Sequence, residues 1–182
     1  MNKFIFASLL MATFSASCIA GVERYPLPNN STFPIARAVE VPAATNLIYH
    51  SGQIPSPEKP EAEKGSREYY GDTYTQSMSV FKKFEASFKD LGVDFGDAVK
   101  LTVFLVGDPK MDGKMDFDGF MKAYTQFFGT KEQPNLPARS AIQIAGLAGG
   151  PGMLVEIEMV LAKPVAMRKD KVKMEKMKKD KM

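Results

Sequence analysis

LPARSAIQIA (residues 136–145), GLAGGPG (146–152) and MLVEIEMVLA (153–162) follow one another without a break, and the fold turns on how they are read. Successive side chains of a strand point to opposite faces. In the last run Met153, Val155, Ile157, Met159 and Leu161 therefore form one apolar set, while Leu154, Glu156, Glu158 and Val160 face the other way. In the first run Ser140, Ile142 and Ile144 share one parity, and Arg139, Ala141, Gln143 and Ala145 share the other. Two strands, Ala138–Ala145 and Met153–Ala162, flanking a glycine-rich loop predict a hairpin. Placing the more polar set on the uncovered side puts Arg139 on one face with Glu156 and Glu158. That face is half apolar and half polar, suited to solvent or to a second subunit, and the subunit is the favoured reading.

Upstream, Ala98–Val106 (AVKLTVFLV) is apolar and β-branched enough for a central strand. Before it, Tyr74, Met78, Phe81, Phe84, Phe88 and Leu91 recur at helical spacing, behind a Thr73/Gln76 capping box and ahead of Gly92 as C-cap. Phe117 to Phe128 reads as a second amphipathic helix, N-capped by Asp116 and stopped at Gly129. Ala36–Val41 and Asn46–Gly52 are two short strands, and Pro55 to Gly71 is a long polar loop. The order β-β-α-β-α-β-β predicts a mixed α/β (α+β) fold, a single sheet with two helices on one face.

Of the 182 residues, 45 % are hydrophobic and 25 % charged, an ordinary balance for one globular domain. With thirteen Phe and no Trp, the core is expected to be built from phenylalanine and aliphatics. Residues 1–20 have a positive start at Lys3, an apolar run from Phe4 to Phe14 and small residues at Cys18 and Ala20. That layout predicts a signal peptide cleaved after Ala20, an exported (periplasmic or secreted) protein and no membrane span. A lipoprotein acylated on Cys18 is the less favoured alternative. Residues 21–33 read as an N-terminal arm, 34–163 as the domain, and 164–182 as a basic Lys/Met-rich tail, solvated and without fixed structure. Lys3 carries one positive charge and 164–182 carry eight basic against three acidic groups, so the net +3 leaves −3 for residues 21–163. A mildly acidic body is a poor phosphate-binding surface, and no nucleic-acid partner is expected.

Several chemistries fail on residue type. The single cysteine lies in the leader, and one histidine, His50, cannot build a zinc site. Asp108, Asp112, Asp116 and Asp118 do not fit an EF-hand in either frame, because Lys114 and Thr125, or Lys110 and Gly119, fall at ligand positions. Gly146–Gly152 precedes a strand and not a helix, so it is no phosphate loop. His50 and Ser51 are strand neighbours facing opposite sides, which excludes a catalytic pair. No metal or cofactor is expected.

What remains is arginine and carboxylate. Arg139 has a planar fork suited to a substrate carboxylate, and Glu156 could hold or deprotonate a water. Residue chemistry leaves a second reading open, an inter-strand or inter-subunit ion pair.

Pro137-Ala138-Arg139-Ser140, followed by Val155-Glu156-Ile157-Glu158, resembles the signature of the RidA (YjgF, L-PSP) family. Ser51-Gly52-Gln53-Ile54-Pro55, Val99-Lys100-Leu101-Thr102-Val103-Phe104-Leu105, and Tyr124 with Phe127-Phe128 agree, in order, over about residues 34–163. The resemblance implies a chorismate-mutase-like fold and a homotrimer with a cleft at each subunit interface. It implies cofactor-free hydrolysis of enamines and imines, such as 2-aminoacrylate and 2-imino acids, to 2-keto acids and ammonia. Arg139 would bind the substrate carboxylate, Glu156 would position water, and Ser51, Gly52 and Ala141 would line the cleft. Three departures are visible: Ile35 stands at a common tyrosine position, Ala141 at a common cysteine position, and the 55–71 and 146–152 loops are longer than in compact members. The alternative function is non-catalytic binding of small carboxylate metabolites in the same cleft.

Overall fold

A computed structural model describes residues 21–164; residues 1–20, read above as a signal peptide, and residues 165–182, read as a basic tail, lie outside the described residues. The chain runs β1 (Glu23–Tyr25), β2 (Ala38–Glu40), β3 (Thr45–Gln53), α1 (Arg67–Tyr70), α2 (Thr73–Leu91), β4 (Ala98–Val106), α3 (Phe117–Tyr124), β5 (Ala138–Ile144) and β6 (Val155–Pro164). The fold is mixed α+β, as expected from the element order.

The apolar parities account for the core. Phe81, Phe84 and Phe88 of α2 are buried, and so are Leu101, Val103 and Leu105 of β4 and Val155, Ile157, Met159 and Leu161 of β6. Phe81 sits at the centre of an aromatic cluster, with ring centroids 4.7 Å from Phe127, 6.1 Å from Phe95 and Phe128, and 6.5 Å from Phe120 and Tyr124. Each fully buried phenylalanine contributes about 2–3 kcal/mol, so aromatic packing, not charge, fixes α2 and α3 on the sheet. Gly92 ends α2 in the left-handed region (φ 64°), and Asp116 caps α3 by accepting from Gly119 N–H at 2.8 Å. A Cβ on Gly119 would lie 2.1 Å from Asp116 Oδ2, so glycine there admits the cap.

The sheet differs from the expected one in pairing. Its order is β3-β6-β4-β5, with β4 and β5 parallel and β6 antiparallel to both β3 and β4. Residues 138–162 are therefore not a hairpin. The glycine-rich segment carries the chain past β4, and α3 with its flanking loops supplies the long crossover that a parallel pair requires. Ala36–Val41 does not enter the main sheet either. Its core, β2, pairs antiparallel with β1 in a separate ribbon, and only Ala36 bridges to Ala138. Arg24 of β1 fastens the ribbon by donating to Gly96 O at 2.8 Å and Ala98 O at 3.0 Å.

Two helix ends also differ. Asp72, not Thr73, caps α2, accepting from Thr75 N–H at 2.8 Å. Gln76, completely buried, instead donates to Gly71 O (3.0 Å) and Gly152 O (2.9 Å) and accepts from Leu154 N–H (2.7 Å). It ties the 55–71 loop to the segment before β6. Arg67 adds a second tie through a two-pronged pair with the buried Asp108, at 2.7–3.0 Å. The helix at 117 ends at Tyr124 rather than Phe128, where the Thr125 hydroxyl turns back onto Met121 O and the chain continues in turns to Gly129.

Candidate active site

Arg139 follows from the pairing. It lies opposite Leu101 in the β4–β5 register, so it shares the helix-covered face with the core. The assignment of the more polar β5 set to the open face is thus reversed: Ser140 and Ile142 are exposed, Ile142 by 45 %, and Arg139 and Ala141 turn toward α3. The physical reason is that β5 is the sheet edge and α3 offers rings instead of aliphatics. The guanidinium carbon stands 4.4 Å from the Tyr124 ring centre, 5.2 Å from Phe120, 5.4 Å from Phe33 and 5.7 Å from Phe117. Cation–π attraction to several rings holds a charge that aliphatic packing would reject. Nη1 points at Met121 Sδ, 3.1 Å away.

The two ion pairs among the described residues are Lys59–Glu68 and Arg67–Asp108, so Arg139 has no carboxylate partner there. Burial lowers its pKa, opposed by Tyr124, and the group stays cationic at neutral pH. Burial raises the Tyr124 phenol, which remains neutral and donates to Pro34 O at 2.9 Å. Arg139 is thus a half-buried cation, fixed from one side and lacking a counter-charge among the described residues. Ile35 follows Pro34 in the same arm segment, its N–H bonded to Phe33 O at 2.8 Å.

Glu156 lies elsewhere. It pairs with Phe104 of β4, on the open face with Glu158 and Thr102. Its carboxylate fills the space over Gly52, where a Cβ would come within 2.1 Å of Oε1. A bulge in β3 makes this contact, since the pairing steps from His50↔Met159 to Gln53↔Ile157 and leaves one extra residue on β3. The 146–152 segment is near, because a Cβ on Gly149 would meet Met153 and Ile54. No ion pair holds Glu156 among the described residues.

The site residues expected from sequence therefore fall into two groups. Ser51, Gly52 and Glu156 come together on the β3–β6 side, and Arg139 and Ala141 sit at the β5 edge. β4 separates Arg139 from Glu156 by two strand spacings, about 10 Å, and they are displaced by about 10 Å along the strands as well. They also face opposite sides, so they do not meet within one chain. The half-polar open face holds Glu156 and Glu158 without Arg139, but it does carry exposed Leu47, Tyr49 and Ile142. Sequence reasoning missed Phe33 and Met121 around the guanidinium; the run from Phe117 to Phe128 read as an amphipathic helix without showing what lay over it.

A family model described as Endoribonuclease L-PSP matches residues 29–163. The chain belongs to the RidA (YjgF, L-PSP) family. Similar relatives include a RutC family protein of Haemophilus influenzae, 29 % identical over 68 % of this chain and 83 % of that one. A RutC family protein of Pasteurella multocida is 28 % identical over 71 % of this chain and 88 % of its own. Among solved structures, YyfB of the conserved Rid protein family from Yersinia pestis, a protein of unknown function, superposes with a TM-score of 0.55 at 20 % identity, covering 76 % of this chain and 96 % of that one. At that identity the likeness speaks for the fold.

Proposed function

We propose that this RidA-family protein hydrolyses 2-imino acids and their enamine tautomers to 2-keto acids and ammonia, in a cleft formed between copies of the chain. The observation that carries the reading is the pair of opposite charges, Arg139 and Glu156, each without an ionic partner among the described residues and unable to reach the other within one chain. A second copy, seated on the open face with its exposed Leu47, Tyr49 and Ile142, would bring one against the other. A homotrimer is the assembly we assign to it.

In that cleft Arg139 takes the substrate carboxylate through its free N–H groups. Glu156 accepts a proton from water as the oxygen adds to the imine carbon. Glu156 returns that proton to nitrogen, giving a carbinolamine; its hydroxyl then gives up a proton to nitrogen through the same carboxylate as the carbon–nitrogen bond breaks, so that nitrogen leaves as ammonia and the carbonyl remains. Imines hydrolyse readily in water, so orientation and proton transfers through one carboxylate are enough, without metal or cofactor. The export predicted from the leader would place this activity in the periplasm or outside the cell.

An amino-acid oxidase generating 2-imino acids in situ, with semicarbazide trapping free imine, tests the reaction. The protein is expected to restore keto-acid release, and Arg139→Ala to abolish that gain. Keto-acid release equal to buffer across several imino acids would end the catalytic reading. Retained binding of the keto acids would then support non-catalytic carboxylate binding in the same cleft.

A further inference from the structure

His50 was excluded as half of a catalytic pair with Ser51, and its position gives it different work. The imidazole lies on the α2 side of β3, edge-on to Phe84 at 4.8 Å and to Phe88 at 6.0 Å between ring centres. Nδ1 is 2.9 Å from the Ser51 carbonyl oxygen and Nε2 is 2.9 Å from Ser87 Oγ on α2. A carbonyl only accepts, so Nδ1 must carry the hydrogen. In the neutral ring Nε2 is then bare and accepts from the Ser87 hydroxyl. The ring is fixed at both nitrogens and on its faces, and it grips one peptide group.

That peptide, Ser51–Gly52, is the bulge against which the Glu156 carboxylate rests. A trans peptide is planar, so drawing the Ser51 carbonyl toward His50 sends the Gly52 N–H the opposite way. A bulge is the part of a strand least constrained by its ladder, because the extra residue is unpaired. His50 supplies the missing constraint from the helix side.

We infer that His50, held by Ser87, is a positioning residue for the proposed hydrolysis: it sets the Ser51–Gly52 peptide and, through it, the place of the Glu156 carboxylate. The inference rests on the proposed reaction for its kinetic consequence and on geometry alone for the hydrogen bonds. Neither residue touches the reacting atoms. Loss of the grip therefore affects water placement and leaves carboxylate capture by Arg139 alone, which lowers kcat with little change in KM.

Two conservative substitutions separate positioning from packing. The Asn side chain places its amide nitrogen near Nδ1, so His50→Asn keeps the bond to Ser51 O. His50→Gln reaches toward Ser87 and loses that bond. His50→Gln is expected to lower kcat about tenfold, the worth of one hydrogen bond, with His50→Asn near wild type. Equal kcat in both variants, whether kept or lost together with melting temperature, would overturn the inference.

A second readout needs no activity. The chain has one histidine, so ring nitrogen-15 NMR reports His50 without ambiguity. The expected spectrum shows a hydrogen on Nδ1 and a bare Nε2 in the neutral ring, and the opposite tautomer overturns the arrangement. Should the wild type hydrolyse no imine, the proposed reaction fails, while the Nδ1–H tautomer would still stand for the grip on the bulge.

Discussion

Gly52→Ala separates the fold from the chemistry. The new Cβ would lie 2.1 Å from Glu156 Oε1, 2.9 Å from Cδ and 3.1 Å from Cγ, whereas ordinary contact begins at 3.4 Å. The carboxylate must therefore retreat by the difference, about 1.3 Å. The clashing atoms are the far end of a flexible side chain, so the backbone need not move. Gly52 is not among the positive-φ glycines, and alanine suits its conformation. Stability should hold or rise by about 0.4–1 kcal/mol, because alanine restricts the unfolded chain. A displacement of about 1 Å in a group that places the attacking water costs on the order of 100-fold in rate, or about 2.7 kcal/mol of barrier. Keto-acid release in the oxidase-coupled assay should show kcat down about 100-fold, with KM nearly unchanged because Arg139 is untouched. Thermal unfolding serves as the control. Wild-type kcat in this variant, or a loss that tracks the melting temperature, would refute the placement of Glu156 over Gly52 as the catalytic arrangement.

Two further outcomes follow from the ties around the long loops. Burial pushes the Asp108 carboxyl up, but the Arg67 fork and the Lys110 N–H outweigh it and hold the group below its ordinary value. A carboxyl depressed by folding contributes stability that is complete above its unfolded pKa, near pH 4, and is lost as pH falls through the lower folded value. Calorimetry should show a fall in melting temperature below about pH 4 that Asp108→Asn lacks, the variant being already less stable at neutral pH; an unchanged acid limb would contradict this. Gln76→Leu, similar in volume, leaves Gly71 O, Gly152 O and Leu154 N–H without their partner and should cost about 2–4 kcal/mol in denaturant unfolding. A cost under about 0.5 kcal/mol would mean that water replaces the amide.

The elements were legible where one-dimensional periodicity carries the physics. Phe81, Phe84 and Phe88 at helical spacing, the β-branched run at 98–106 and the alternation at 153–161 each named its buried face correctly. Asp116 and Gly92 marked helix ends through local chemistry. Pairing was not legible. Period two tells which residues of a strand share a face, but not which strand lies alongside. A glycine-rich loop of this length closes a hairpin or passes a neighbouring strand equally well. The β5 set with Arg139 and Gln143 was the more polar, yet the edge position let isoleucine face outward while aromatic rings accepted Arg139. Hence Arg139 and Glu156 were read onto one face, and the structure separates them. The His50–Ser87 contact joins residues 37 apart, with no local signal in either segment.

The central claim, that Arg139 and Glu156 act from different copies of the chain, is tested by complementation. Arg139→Ala and Glu156→Gln, each inactive alone, are mixed in equal amounts, dissociated and allowed to reassemble. In a closed cyclic assembly half the sites keep the arginine, and half of those meet an intact neighbouring glutamate. Activity should return to about one quarter of wild type. A mixture as inactive as its components, in an assembly shown to have exchanged subunits, would contradict the shared cleft.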